Sequence, residues 1–456
     1  MRIGLDFGTT HSGAAFFDGA RVQLVPLDPA SLHPGVMRSA MYITRDHQRA
    51  YGQRAIDLYY EQNIGRPSRL IQQYVGEIEM AFGEVGAVKG YPVSLPTIVR
   101  EVYVLIDELT PGRLLYSLKG ELASDYQGST LFGRSYSLEE LIGAYLAEVR
   151  QRVEAHVGQP VRGVVLGRPV RFAGAETEED DAQAERRLRR AADLAGFEDV
   201  AFELEPVAAA LHYESTAARP QHIVVFDLGG GTLDITVMRV GGAERRVYAT
   251  GGLGIGGDVF DQRIIHGALL EHFGQGSTWG EDAIPFPSHY TEALATWQSV
   301  PELNRPETLN FLQLVQRVGS HPVRIRALES LLVNNYAIRL LDAVERAKVA
   351  LSTSVFTLIR LAGEDLNVWQ PLTRAQFEAL IADAATRIEA CLLDTVARSG
   401  LPLAEIDAVV RTGGSAQVHW FAQMLQRIFG PEKVVLADVF TSVTAGLAIR
   451  AHSGPR

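Results

Sequence analysis

Residues 3–13, IGLDFGTTHSG, and residues 224–236, VVFDLGGGTLDIT, repeat one arrangement: an apolar run breaks on an aspartate, passes through glycine and threonine, and resumes. A glycine turn lets backbone N–H groups approach an anion closely, and threonine hydroxyls add donors at its edge. Asp6 and Asp227 stand where each run enters its turn, so their carboxylates would face the same ligand. Carboxylates aimed at phosphate repel it unless a divalent cation lies between. Two such turns facing each other would therefore clamp a Mg²⁺–polyphosphate. The plainer alternative is a pair of tight hairpins with capping Asp and Thr; it serves for either copy alone and less well for both together.

Other phosphate motifs can be tested on the same residues. A Walker P-loop needs Gly-Lys-Ser/Thr. The four lysines, Lys89, Lys119, Lys348 and Lys433, never follow a glycine, which excludes that mechanism. Gly252, Gly254 and Gly257 spell G-x-G-x-x-G between a strand pattern and a helix pattern. No acidic residue about 20 positions on closes a second strand, so the dinucleotide signal is weak. No G-x-S-x-G or H-E-x-x-H stretch supports a serine hydrolase or a zincin.

The elements that would position these turns alternate along the chain. RIGLDFG reads as a strand, and HSGAAFFDGARVQLVPL as two more joined by Asp18-Gly19. Residues 30–130 mix Pro and Gly without a clear period. Ser137 and Glu140 form a capping box ahead of an apolar stripe through Leu138, Leu141, Ile142, Tyr145, Val149 and Val153, ended by Gly158. VRGVVLGRPV is a strand, and Thr177 to Gly196 a helix whose acidic start and basic end suit the helix dipole. VAFELE runs into Pro206, a favoured first helical residue. Residues 274–320 lack a clear period and read as part of an insertion spanning 274–335. In the helix expected at 336–352, Glu345, Lys348 and Ser352 fall within about 60° of one another, apart from the stripe of Leu340, Val344, Ala347 and Leu351. That polar face could address a ribose and base edge, or simply be solvated. AVVRTGGSAQVHWFAQMLQRIFG reads as strand, Gly-Gly-Ser turn and helix. Alternating strands and helices throughout indicate an α/β protein.

Bulk properties bound the function. The 456 residues, 46% hydrophobic and 21% charged, suggest two to three compact units of ordinary composition. A net charge of −11 argues against nucleic-acid and anionic-membrane partners. Cys391 is the only cysteine, which rules out an intrachain disulfide and a zinc cluster. No apolar run approaches the roughly 18 residues of a membrane span, and Met1 leads directly into a strand pattern with no secretory signal. The expectation is a cytoplasmic protein.

IGLDFGTTHS and VVFDLGGGTLDIT resemble the two phosphate loops of the actin-like ATPase superfamily. ELEPVAAALHYE, GIGGDVFDQRI, ERAKVALSTS, RTGGSAQV and TSVTAGLAIRA are similar, in the same order, to the further nucleotide-site segments of DnaK-type chaperones of the heat shock protein 70 family. VLGRPVRFAG and the 274–335 insertion are most similar to the short bacterial YegD-type branch.

The resemblance implies an actin-like ATPase fold, two lobes of ribonuclease-H-like mixed sheets with flanking helices and a nucleotide cleft between them. Lobe I would cover 1–220, with 441–456 returning to it, and lobe II 221–440. The implied activity is slow hydrolysis of ATP to ADP and phosphate, with Mg²⁺ held by Asp6 and Asp227 through its water shell. Gly8, Thr9, Thr10, His11, Gly229, Gly230, Gly231 and Thr232 would grip the phosphates. Glu205 would orient the attacking water or the metal's waters, with Asp234 assisting. Gly256, Gly257, Glu345, Lys348, Ser352, Gly413, Gly414 and Ser415 would hold the adenosine side. The family also places a lysine beside the γ-phosphate. PSRLIQ has Ser68 at the echoing position, whereas LLYSLKGELAS supplies Lys119, the better candidate; a surface lysine on a hairpin is its ordinary reading. His11 replaces the family's usual Asn, Gln417 a frequent Arg, and Val349 an arginine that stacks on adenine in some members. With the chain ending at Arg456, no peptide-binding domain is expected. A monomer is expected, its cellular role running through a separate co-chaperone or client-handling protein, with Trp279 and Trp297 as anchors if they are not buried under the insertion. An actin-like filament protein and a small-molecule kinase of the same fold remain the alternatives.

Overall fold

The computed structural model of the chain describes residues 1–456 other than 32, 67–69, 81–97, 216–218, 242–244, 297–299, 437–440 and 454–456. Ser68, Lys89 and Trp297 lie outside the described residues.

Two sheets share one topology. In the first, strand Arg2–Phe7 pairs antiparallel with His11–Phe17, which pairs antiparallel with Val22–Leu24; on its other side Arg2–Phe7 runs parallel to Gly163–Arg168, itself parallel to Asp199–Leu204. In the second, Gln221–Leu228 pairs antiparallel with Leu233–Val240 and that with Arg246–Leu253, while Ala408–Thr412 and Val434–Leu436 add in parallel on the far side. In both, the antiparallel meander is placed before the parallel pair in sequence, and the hairpin at the sheet centre is the one carrying the aspartate and glycine turn. Arg246–Leu253 is antiparallel to its neighbour, so Gly252, Gly254 and Gly257 do not open a βαβ unit and the dinucleotide reading falls.

The central strands are apolar on both faces because helices cover both. In Gly163–Arg168, Val164 and Leu166 join Ile3, Leu5, Leu141 and Leu188 in one core, beneath helices Leu138–Val157 and Glu178–Leu194. Val165, one residue out of phase, joins Ala208, Leu447, Ile223 and Val225 in another. Both covering helices start on capping boxes, Ser137 with Glu140 and Thr177 with Asp180.

That second core holds a helix pair that ties the sheets together. The connecting helix, Glu205–Glu214, begins one residue before the expected Pro206, so Glu205 is its first residue and the proline lies in its first turn. The closing helix, Ser442–Ser453, packs on it and on strands Arg2–Phe7, His11–Phe17 and Gly163–Arg168. Their approach is close: a Cβ on Gly446 would sit 1.7 Å from the Ala208 carbonyl oxygen. The halves also meet at a second place. Ile338 joins Tyr42, Ala55, Ile56 and Leu114 in a small core, and Gly65 N–H donates to the Asn334 carbonyl at 3.0 Å.

The stretch 274–320, expected to lack a clear period, is helical in its last part, and so is the remainder of the segment 274–335. The segment contains helices Pro306–Val318 and Pro322–Val333, each with proline in its first turn, so the prolines that broke the sequence pattern start helices rather than end them. Trp279 is half-buried, edge-on to Phe311 at 5.3 Å. Among the described residues no helix is long and apolar enough to cross a membrane.

Candidate functional site

The two glycine turns lie against each other. A Cβ built on Gly230 would stand 2.9 Å from Thr10 Cγ2, and one on Gly231 would stand 3.1 Å from Thr9 Oγ1. Gly229 N–H closes its own turn on the Thr232 carbonyl at 3.0 Å, while the Gly8 carbonyl accepts from Ser39 Oγ at 2.6 Å. The loop Gly254–Asp258 docks on the second turn: Gly257 N–H donates to Gly229 O at 3.0 Å, and Asp258 N–H to Gly230 O at 2.8 Å. Gly256 lies so close that a Cβ would meet Gly230 O at 2.4 Å.

Beneath the turns sit four carboxylates and one ammonium. Lys119 follows strand Gly112–Tyr116 in a short 3-10 turn, Leu118–Glu121. It is 7% exposed, and its Nζ donates to Glu205 Oε1 at 2.5 Å. The reading of Lys119 as a surface residue is therefore wrong. Burial opposes its charge, but Glu205 and then Asp6 hold the ammonium above its ordinary value. Asp6 is pushed up to about 7 by burial and then by Glu205, with Lys119 countering. Asp227 is raised well above its ordinary value by burial, then Glu205, Asp234 and Asp6, with Lys119 countering. Asp234, paired in register with Asp227, is raised to about 7 by burial and Glu205, although it accepts from Val170 N–H at 2.5 Å and Thr232 Oγ1 at 3.0 Å.

This set fits a divalent cation. Neither Asp6 nor Asp227 accepts a hydrogen bond from any described residue, and Lys119 is the cation that opposes the crowding of carboxylates around both. No cluster of three or more His, Cys, Asp or Glu close enough to ligate a metal directly occurs among the described residues. A cation between the turns would be held through water, which is the geometry Mg²⁺ prefers.

A second polar group forms on the helix Ala337–Thr353. Its stripe of Leu340, Val344, Ala347 and Leu351 is buried, and Lys348 projects to Asp261 Oδ2 at 2.6 Å and the Gly257 carbonyl at 3.1 Å. A Cβ on Gly257 would meet Ser415 Oγ at 2.6 Å and Lys348 Nζ at 2.9 Å, so these three converge. Glu345 is 3.5 Å from Arg38 Nη1; burial favours its neutral form, but Arg38, Lys348 and His11 keep it below its ordinary value. His11 bonds the Thr10 hydroxyl at 3.3 Å. Gly413 has a left-handed φ of 86°, and a Cβ there would strike Leu228 O at 2.4 Å and Asp227 Oδ1 at 2.6 Å, which places the 413–415 turn beside the metal-facing aspartate. A Cβ on Gly414 would meet nothing within 4 Å. Ser352 shares the helix but makes no hydrogen bond to the rest of the group.

Sequence reasoning missed Arg38, Asp258 and Asp261. The last two are an i, i+3 acidic pair opening the helix Gly257–Ile264 directly after the glycine loop, which is a readable signal. Burial raises them to about 6 and about 7, against the pull of Lys348. Arg38 carried no such mark.

Twinned meander-plus-parallel sheets, joined by a crossing helix pair and presenting two aspartate–glycine turns to each other, define the actin-like ATPase fold. A family model described as Hsp70 protein matches residues 118–279 and 330–454. The chain belongs to the Hsp70 family, nucleotide-binding ATPases of the chaperone type.

Proposed function

We propose that the chain binds Mg-ATP between the two turns and hydrolyses it, acting as a two-state nucleotide switch. The observation that carries this reading is the buried Lys119–Glu205 pair lying among Asp6, Asp227 and Asp234 directly below the facing turns. Phosphoryl transfer asks little covalent work of a protein, mainly in-line placement and charge neutralisation. Gly8, Thr9, Thr10 and Gly229 to Thr232 would bind the phosphates through backbone N–H and hydroxyl donors. Asp6 and Asp227 would hold Mg²⁺ through its waters, and the cation when bound would neutralise charge developing on the phosphoryl oxygens. Lys119 would turn its ammonium from Glu205 to the γ-phosphoryl oxygens, and the freed carboxylate would orient the attacking water. Gly257, Glu345, Lys348, Ser352, Gly413, Gly414 and Ser415 would line the adenosine side. Residues 1–220 with 441–456 would form one lobe and 221–440 the other, with closure changing as the γ-phosphate is lost.

Single-turnover hydrolysis with separate measurement of ATP affinity tests the assignment. Lys119→Ala should lower the hydrolysis rate at least a hundredfold while changing affinity far less, because a contact to the transferring group strengthens in the transition state (on the order of 10²–10³ per such donor). Full turnover in a folded Lys119→Ala protein would remove Lys119 from the mechanism. ATP-dependent pelleting, or turnover that requires a second small substrate, would replace the switch with a filament or a kinase.

A further inference from the structure

A cavity of about 320 Å³, with none of the glycine-turn residues in its lining, lies where helix Gln53–Asn63 meets helix Ala337–Thr353 and the two-stranded ribbon Phe356–Gly363 with Leu366–Thr373. Tyr60, Arg339, Asp342, Arg346 and Arg360 line it. We propose that this cavity is a binding site for a small phosphate-bearing anion.

Three guanidinium groups converge there against one carboxylate, in a protein whose net charge is −11. None of the three makes an ion pair or a hydrogen bond with another described residue, so their N–H forks remain available for a ligand. Asp342 accepts a hydrogen bond from the Tyr60 hydroxyl and forms no ion pair with the three, although Arg346 stands near enough to favour its charged form. Two of the arginines are held in place by aromatic faces. Arg360 Cζ lies 3.9 Å from the centre of the Trp369 ring, its cross-strand partner, and Arg339 Cζ lies 5.1 Å from Tyr336 and 5.9 Å from Tyr60. Stacking fixes the plane of a guanidinium and leaves its edge free, so less freedom is lost when an anion binds.

The size and lining decide the class of ligand. The volume is at the lower end of small-molecule sites, roughly 300–1,000 Å³, and the lining is polar and cationic rather than apolar. Planar guanidinium forks match phosphoryl oxygens in pairs, which favours a compact phosphate or diphosphate over an apolar ligand. The Asp342 carboxylate repels an anion. Burial raises it toward its neutral form, while the Tyr60 hydroxyl, Arg38 and Arg346 favour its charge, so its opposition is only partly relieved and is outweighed by the three guanidinium groups. Tyr60 belongs to one helix and the arginines to the other side of the junction, so a bound anion would brace a contact between the two halves of the molecule.

Isothermal titration of the full-length protein with inorganic pyrophosphate provides the test, with Arg346→Gln/Arg360→Gln as the variant pair and Arg186→Gln/Arg190→Gln as a distant control. Both altered side chains of the test pair are exposed, and the melting temperature of the ligand-free protein should be unchanged. The test pair should weaken pyrophosphate binding at least tenfold, while the control pair leaves it as in the parent. Added sodium chloride should weaken binding to the parent, since exposed charge pairs are screened. Pyrophosphate binding that is absent, or equally strong in the test pair, overturns the proposal; binding at the glycine turns alone would give that second result. Citrate, a tricarboxylate, should bind more weakly than pyrophosphate, and equal or tighter citrate binding would overturn the assignment to phosphate.

Discussion

His11 sits partly buried beside the Thr10 hydroxyl, and burial with the neighbouring Arg38 lowers its imidazole from 6.5 to about 4. A depressed pKa means that the unfolded chain binds more protons between those values. Neutral His11 therefore contributes stability that is present above about pH 6.5 and is lost as pH falls toward 4, on the order of 2 kcal/mol after allowance for its exposure. The raised carboxylates act oppositely over part of this window, so only a difference between proteins isolates the histidine. His11→Asn should lose less melting temperature than the parent between pH 6.5 and 4; parallel curves would show that His11 does not titrate this way. The Lys119–Glu205 pair gives a second residue-scale test. Removing the lysine leaves Glu205 buried without its partner, which typically costs about 3–5 kcal/mol. Lys119→Met should melt well below the parent, and Lys119→Met/Glu205→Gln should recover much of the loss by calorimetry.

Among the elements, the crossing of the connecting and closing helices is the tightest approach. Val at position 446 has no room beside the Ala208 carbonyl, so Gly446→Val should destabilise by at least about 2 kcal/mol in denaturant melts, more than the same change at Gly414, where a side chain meets open space. Such elements were legible to different degrees. Helices with capping boxes at Ser137 and the strand–turn–strand hairpins could be read because local chemistry specifies them. The helices beginning at Pro306 and Pro322 were obscured because proline starts a helix and ends one with the same letter. In the site, turn residues were visible as glycines, but the partners of charged groups were not: Lys348 finds Asp261, and Glu345 finds Arg38, across long stretches of chain. Lys119 showed a lysine after a strand; only folding brings it to Glu205.

For the whole molecule, the consequence of two facing turns is linkage between ligand and stability. Mg-ADP binding only to the folded cleft would add about 2.7 kcal/mol at 100 times its dissociation constant. A clear rise in melting temperature with millimolar Mg-ADP is expected, abolished by Asp227→Ala; no rise in the parent would remove the nucleotide from the cleft. Hydrogen exchange should slow at both turns together, because a phosphate chain held between them restrains both.

The closing helix also has a consequence for how the protein is made. Gly4 lies against Ala448, where a Cβ would stand 2.2 Å from the Ala448 amide nitrogen, so one face of strand Arg2–Phe7 is completed by a helix made long after it, Ser442–Ser453. At about 5–20 residues per second, roughly 20–90 s of synthesis separate the two. Throughout that interval the apolar surface around Val165 lacks its final cover. A nascent chain stalled before Ser442 should be cut rapidly by added protease within residues 1–220, and extension through Ser453 should protect it.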